Sequence, residues 1–134
     1  MKMKTTINWI LRLTVAIILL QTLYFKFLAH PDSVYIFSEL GVEPWGRIGL
    51  GIIELITAVL IFIPKTELIG MINSLLIIIG AIGAHILFIG IDIKNDNGGL
   101  FTLALIILVC CICYLILNRN RIMEQIFQNK LVKA

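Results

Sequence analysis

Long apolar stretches, separated by short polar segments, make up most of this chain. A helix that crosses a membrane needs about 20 mostly apolar residues, and four stretches meet that requirement. They cover approximately residues 7–28, 47–63, 68–91 and 100–117, and a basic tail follows over 118–134. The pattern predicts an all-α fold, a four-helix transmembrane bundle that forms a single membrane domain over residues 1–134.

The composition agrees with a lipid environment. Of the 134 residues, 60% are hydrophobic and the mean hydropathy is +1.02, whereas soluble domains contain about 45–50% apolar residues. A small soluble domain leaves a large share of its surface in water, so it could not hide this much apolar surface. The net charge of +3 is spread along the chain, without the basic stripe that nucleic-acid binding requires. We therefore expect a lipid bilayer as the surroundings and no nucleic acid as a partner.

The polar segment between the first two stretches, residues 29–46, has a pattern of its own. Asp32 or Ser33, just after Pro31, can cap the start of a helix. Three apolar residues then recur at helical spacing: Val34, Phe37 and Leu40. Gly41 suits the position after a helix end, where the backbone needs a positive φ. The segment is predicted to form a short interfacial helix between helices 1 and 2.

Charge indicates the orientation, because Lys and Arg are enriched in the cytoplasmic segments of membrane proteins. With four crossings, the N-terminus, the short turn at 64–67 and the tail share one side of the membrane. Seven basic residues lie there: Lys2, Lys4, Lys65, Arg119, Arg121, Lys130 and Lys133. The other side has only three: Lys26, Arg47 and Lys94. We expect a multi-pass protein of a bacterial-type cytoplasmic (inner) membrane, with both termini in the cytoplasm.

The basic tail has a helical pattern. Arg119 and Arg121 lie just inside the predicted membrane boundary, and Ile122, Ile126 and Phe127 share one helical face beyond them. A helix with one apolar face and flanking cations lies in the plane of a membrane interface. The tail is predicted to form such a helix on the inner leaflet.

Three ionisable side chains are predicted at membrane depth, where charge is costly and faces the bundle interior or water. At about 1.5 Å per residue, Glu54 lies roughly 11 Å below the outer end of its helix, and His85 roughly 9 Å below the outer end of its own. Lys26 ends the first helix on the same side. We predict one polar cluster, in which Glu54 is ionised beside Lys26 or protonated His85, or is neutral. The cluster is either packing glue between helices or a proton-active or ligand-binding site that opens outward.

Three further polar residues lie at the periphery of this cluster. Arg47 is on the helical face of Glu54, together with Gly51, whose small size allows another helix to approach. Asn73 continues the polar side of the third helix and is expected to form a hydrogen bond between helices. Arg12 is near the inner boundary, and long cationic side chains there reach the interface. We therefore expect Arg12 to anchor the first helix at the interface.

All three cysteines, Cys110, Cys111 and Cys113, lie in the fourth stretch. Cys110 and Cys113 have the spacing of a redox pair, but a reactive thiol needs an electropositive and partly exposed setting, and the neighbouring residues are apolar. We expect the cysteines to be packing residues. Because His30 lies outside the membrane and His85 within it, we predict no metal site. No covalently bound cofactor is expected either.

Several short motifs follow one another along the chain. They are Leu11-Arg12, Phe25-Lys26-Phe27, His30-Pro31-Asp32-Ser33-Val34, Glu43-Pro44-Trp45-Gly46-Arg47, Gly51-Ile52-Ile53-Glu54-Leu55, Gly80-Ala81-Ile82, His85 and Gly98-Gly99. Together they resemble the DoxX-like family of small four-helix integral membrane proteins, over nearly the whole chain. The resemblance implies the fold and an association with quinone-linked respiratory or thiosulfate-oxidising systems, and with thiol-redox partners. It supplies no catalytic residues.

Two functions of different kinds remain open. In the first, the chain is a membrane subunit or partner of a quinone-linked or thiol-redox system; a quinone binds near the predicted cluster and a redox protein supplies the electrons. A carboxylate and an imidazole can pass the protons that this chemistry requires. In the second, the chain is a non-enzymatic scaffold, a chaperone or a carrier of a small solute. Neither hypothesis makes the isolated chain an enzyme, and neither fixes its oligomeric state.

Overall fold

The computed structural model describes residues 2–134. Within this range it contains six α-helices: α1 (Lys2–Phe27), α2 (Pro31–Glu39), α3 (Trp45–Phe62), α4 (Glu67–Ala84), α5 (Gly99–Leu117) and α6 (Arg119–Lys133). A π-helix, His85–Ile89, continues α4. The helices α1, α3, α4 with its π-helical end, and α5 are long and apolar enough to cross a membrane. The predicted fold, with four spans and a short helix between the first two, is confirmed.

The first helix is longer than its apolar stretch. It begins at Lys2, several residues before the apolar stretch that starts near residue 7. The Thr6 hydroxyl donates a hydrogen bond to the carbonyl of Lys2 (2.9 Å) within this extra turn. The helix therefore extends beyond the segment that hydropathy predicts to lie in lipid.

The short helix α2 is present, but its cap differs from the prediction. Nδ1 of His30 accepts a hydrogen bond from the backbone N–H of Asp32 (3.3 Å), and Pro31 occupies the first helical position, where its missing N–H costs nothing. The prediction of Asp32 or Ser33 as the cap is therefore wrong. Ser33 lies within α2 and is a buried residue. Gly41 follows the helix end with a φ of +73°, as predicted.

The four spanning helices form a closed ring. Helix α1 packs against α3 and α5, and α4 packs against the same two helices. Apolar side chains fill the centre of the ring, among them Leu19, Ile61, Met71 and Ile107. The outward faces are also apolar and are exposed, as at Leu76. In a membrane these faces contact lipid tails, which are as apolar as leucine.

The bundle has two ends. The one that carries the N-terminus, the turn at residues 63–66 and α6 is here named the terminal end. The one that carries α2 and the loop at residues 90–98 is named the loop end. Helices α1 and α4 run from the terminal end to the loop end, and α3 and α5 run back. Each spanning helix is therefore antiparallel to both of its neighbours in the ring.

Helices α3 and α4 approach closely where Gly70 faces the last turn of α3. A Cβ atom at Gly70 would lie 2.8 Å from the backbone N of Ile61, which is too short for a non-bonded contact. In contrast, a Cβ atom at Gly80 of the same helix would have no neighbour within 4 Å. The packing of α3 against α4 thus requires glycine at position 70 and does not require it at position 80.

The carboxylate of Asp96 organises the loop before α5. Its Oδ1 accepts hydrogen bonds from the backbone N–H groups of Ile93 and Gly98 (2.9 Å each), and its Oδ2 accepts one from Leu100 (3.0 Å). Desolvation acts to raise the pKa of Asp96, but the bonds from Leu100, Ile93 and Gly98 outweigh it and lower the pKa below its usual value. The ionised carboxylate therefore stabilises the first turn of α5.

Candidate functional site

A buried ion pair joins α1 and α3 near the loop end. Nζ of Lys26 lies 2.9 Å from Oε2 of Glu54, and the two side chains are 12% and 6% exposed. The hydroxyl of Thr22 lies 3.1 Å from the same carboxylate oxygen. Glu54 is about 13 Å along α3 from its first residue, at 1.5 Å per residue. The negative charge within the membrane is thus neutralised by a cation on the neighbouring helix.

Helix direction explains how the two side chains meet. In an α-helix each Cα–Cβ bond tilts toward the N-terminus of the helix. The N-terminus of α1 is at the terminal end, so Lys26 leans back into the membrane. The N-terminus of α3 is at the loop end, so Glu54 leans toward Lys26. The antiparallel arrangement of α1 and α3 therefore directs the ammonium and the carboxylate toward each other.

Arg47 supports this pair from the loop end. Its guanidinium donates to the carboxylate of Glu43, with Nε 2.8 Å from Oε1, and to the backbone carbonyl of Lys26. That carbonyl is among the last of α1, which have no partner within their own helix. Arg47 is 6% exposed. It thus holds the backbone of Lys26 while Glu54 binds its side chain.

Gly51 lies between Arg47 and Glu54 on one face of α3. Because it has no side chain, α1 packs closely against α3 at this position. A Cβ atom at Gly51 would lie 2.9 Å from Cε1 of Phe27. The structure therefore agrees with the expectation that a small residue on this face lets another helix approach. The close contact brings the end of α1 within reach of Glu54.

His85 does not join this cluster, contrary to the predicted grouping of three. Its Nδ1 lies 2.8 Å from the carbonyl oxygen of Gly90, and its ring packs edge-on against Phe101, with 5.6 Å between centroids. Within residues 2–134 no hydrogen bond or ion pair connects His85 with Lys26 or Glu54. The reason is local: the π-helix ends at Ile89, and the carbonyl of Gly90, directly after it, is the partner of the imidazole.

Asn73 bonds between helices, one turn away from the ion pair. Its Nδ2 donates to Oγ1 of Thr57 (2.6 Å), and that hydroxyl donates to the carbonyl of Ile53 (2.7 Å). Thr57 follows Glu54 by three residues in α3. Asn73 thus connects α4 to the Glu54 face of α3 without contacting Lys26.

Arg12 is buried at the terminal end, where its guanidinium lies between the end of α3 and the start of α4. It is 3% exposed. Its Nε and Nη2 donate to the carbonyl of Ile61 (3.1 and 2.5 Å), its Nη1 lies 2.7 Å from Oε2 of Glu67, and it stacks over the ring of Trp9. The predicted interface anchor is therefore wrong. The end of α3 offers unpaired carbonyls and the start of α4 offers a carboxylate, so the guanidinium finds better partners inside the bundle.

Glu67 is the centre of this second cluster, and sequence reasoning missed it. The carboxylate is 7% exposed, accepts a hydrogen bond from the hydroxyl of Tyr114 (3.1 Å) and pairs with Arg121 of α6. From the sequence, Glu67 belongs to the short turn at residues 64–67. The available signal was a lone carboxylate at the same depth as Arg12, together with a tyrosine near the end of an otherwise apolar span.

The cysteines of α5 have different surroundings. Cys111 lies in the core, Cys110 is half-buried and Cys113 is on the outward face, and all three are free thiols. Within the described part of the chain, no three His, Cys, Asp or Glu side chains converge in a way that could hold a metal ion.

Comparison with known proteins identifies one family. The sequence model of the DoxX-like family matches residues 10–114. The match includes Arg12, Lys26, Glu54 and Glu67, whereas α6 lies outside it. No curated protein and no solved structure matches the chain.

Proposed function

The chain belongs to the DoxX-like family, and from that premise we propose that it is a membrane subunit or partner in a quinone-linked or thiol-redox system. The observation that carries this proposal is the ion pair of Lys26 and Glu54 inside a spanning helix pair. Ionisable residues within membrane spans mark proton relays and ligand sites. In this function, the pair binds a quinone head group and exchanges protons with it.

The ion pair fits a quinone chemically. An ammonium group has three donors, and the contact with Glu54 uses one of them, so Lys26 can donate another to a carbonyl oxygen. Reduction of a bound quinone to the quinol would consume two electrons, which the redox partner supplies, and two protons. Glu54 would take up one proton from water at the loop end and pass it to one quinone oxygen, and the same water would protonate the other oxygen. Lys26 would orient the head group by donating a hydrogen bond to it. The side chain of Lys26 is 12% exposed, so a small part of it is in contact with the surroundings of the bundle.

A second candidate function is a non-enzymatic scaffold. It is favoured by the fact that Lys26 and Glu54 already bind each other within the bundle. Glu54 is satisfied by Lys26 and Thr22, and Arg47 ties the same end of α1 to α3. In this function, the charges fix how α1 and α3 pack, and the bundle presents a rigid surface to partner proteins. The two candidates differ in whether removal of the Glu54 charge abolishes ligand binding or only stability.

We also propose an orientation. Counted over the two ends, eight of the eleven basic residues and two of the eight acidic residues belong to the terminal end. Positively charged segments stay in the cytoplasm. We infer that the terminal end faces the cytoplasm and that the membrane is a bacterial-type inner membrane.

Quinone titration of the purified protein tests the proposed function. A short-chain ubiquinone and a menaquinone analogue are added to the parent protein and to Glu54→Gln, and the thermal unfolding midpoint and tryptophan fluorescence are followed. The matched control is Glu39→Gln, which makes the same chemical change at an exposed position of α2, at the loop end and outside the spanning helices. We expect saturable stabilisation of the parent and of Glu39→Gln, and none of Glu54→Gln.

Two results separate the candidates. If Glu54→Gln is unstable, the double variant Lys26→Gln/Glu54→Gln, which leaves no unpaired charge, replaces it in the titration. Lower stability of Glu54→Gln with an unchanged quinone response supports the scaffold. No saturable response in the parent rejects the quinone site.

A further inference from the structure

The tail helix α6 carries a surface that the bundle does not use. None of its residues is buried, although it includes several large apolar side chains, such as Ile126 and Phe127, which are 49% and 60% exposed. The helix also carries four basic residues and one acidic residue: Arg119, Arg121, Lys130, Lys133 and Glu124. These apolar and cationic side chains require a partner of matching chemistry.

The side chains of α6 are sorted between two faces. Residues spaced by three and four positions share one face of a helix. One face, here named the cationic–apolar face, contains Arg119, Met123, Ile126, Phe127, Lys130 and Lys133. The opposite face contains Arg121, Glu124, Gln125, Gln128 and one apolar residue, Val132, which is exposed. Most of the cations therefore lie among the apolar side chains, and the carboxylate lies away from them.

We propose that the cationic–apolar face binds the anionic phospholipid headgroups of the leaflet at the terminal end. Apolar side chains of such a helix enter the boundary between headgroups and acyl chains. The stems of Lys130 and Lys133 lie along this boundary while their ammonium groups reach the phosphates. An apolar groove on a protein would leave these cations unpaired. An anionic leaflet, in contrast, accommodates both the apolar side chains and the cations of this face.

The ion pair of Arg121 fixes which face looks outward. Arg121 pairs with Glu67 at the start of α4, so the face that carries Arg121 is turned to the bundle in the first turn of α6. The cationic–apolar face is on the other side and is directed away from the bundle. Asn118, between α5 and α6, has a φ of −106° and a ψ of 13°, which separates α6 from the spanning helix α5. In the proposed bound state, the cationic–apolar face lies against the leaflet.

Hydrogen–deuterium exchange of the full-length protein in nanodiscs tests the proposal. The nanodiscs contain phosphatidylcholine alone or an equal mixture of phosphatidylcholine and phosphatidylglycerol. Each Lys or Arg near an anionic surface increases the binding constant for that surface by a factor of about five. The cations of this face should therefore slow amide exchange in α6 by more than about tenfold in the mixture. The amides of α3 serve as the internal reference, since they lie inside the bundle in both lipids.

Two double variants test the face itself. Lys130→Gln/Lys133→Gln removes two charges from the cationic–apolar face, and we expect most of the slowing to disappear. Gln125→Glu/Gln128→Glu changes the net charge by the same amount on the opposite face, and we expect the slowing to remain. Equal exchange of α6 in the two lipids, or equal loss of slowing in the two variants, would overturn the proposal.

Discussion

The Arg12 contact between three helices gives the sharpest test of stability. Arg12 of α1 binds the last turn of α3 through the Ile61 carbonyl and the start of α4 through Glu67. The variant Arg12→Met keeps much of the side-chain volume but removes the charge, both hydrogen bonds to Ile61 and the ion pair with Glu67.

The structure sets the size of the expected effect. Breaking a buried ion pair costs about 3–5 kcal/mol when the remaining charge has no other partner. Glu67 keeps Arg121 and Tyr114 as partners, so the loss should be near the lower limit, about 3 kcal/mol. Arg12→Lys retains the charge but cannot reproduce the planar fork that serves Ile61 and Glu67 together. We expect a loss of about 1–2 kcal/mol for this variant, roughly that of one charged hydrogen bond.

Equilibrium unfolding in mixed detergent micelles measures these losses. The control is Arg119→Met, the same replacement at an exposed position of α6, for which a change within about 0.5 kcal/mol is expected. The reasoning is refuted if Arg12→Met unfolds with the same free energy as Arg119→Met, because Arg12 would then contribute nothing to the contact between the three helices.

Three further predictions concern single positions. Gly70→Ala should lose about 1–3 kcal/mol through the clash with Ile61, whereas Gly80→Ala should be neutral or gain up to about 1 kcal/mol in helix propensity; equal unfolding free energies would contradict the close approach. Asp96→Ala should cost about 1 kcal/mol at neutral pH, as the loss of a helix cap does. Because the folded pKa of Asp96 lies below its unfolded value, this difference should persist above about pH 4 and vanish as the pH falls through the folded pKa, which unfolding at several pH values checks. Tyr114→Phe should cost about 1 kcal/mol in the same unfolding assay, because Glu67 loses one donor but keeps two cations; a loss as large as that of Arg12→Met would contradict this ranking.

The four spans and the ion pair of Lys26 and Glu54 could be predicted from the sequence. Four apolar stretches of sufficient length leave little choice of fold in a membrane, because backbone groups must be satisfied within helices. Glu54 was identifiable since a carboxylate at that depth requires a partner, and Lys26 is a cation at the same end of the bundle. The antiparallel order of α1 and α3 then decides that the two side chains lean toward each other.

The partners of His85 and Arg12 could not be predicted from the sequence. A π-helix after Ala84 and the carbonyl of Gly90 give His85 a local partner, and no sequence pattern marks that turn. Arg12 lies near a membrane boundary, and from the sequence alone a long cationic side chain at that position is expected to reach the interface. The choice depends on the unpaired carbonyl of Ile61 and the position of Glu67, which only the packed helices define.

A double-mutant cycle between Lys26 and Glu54 measures whether the two charges stabilise each other within the membrane. Unfolding free energies are measured for the parent, Lys26→Met, Glu54→Gln and the double variant in the same micelles. We expect a coupling free energy of about 2 kcal/mol, with the double variant more stable than the sum of the two single losses implies. Additive losses, with a coupling below about 0.5 kcal/mol, would show that the ammonium and the carboxylate do not stabilise each other within the membrane.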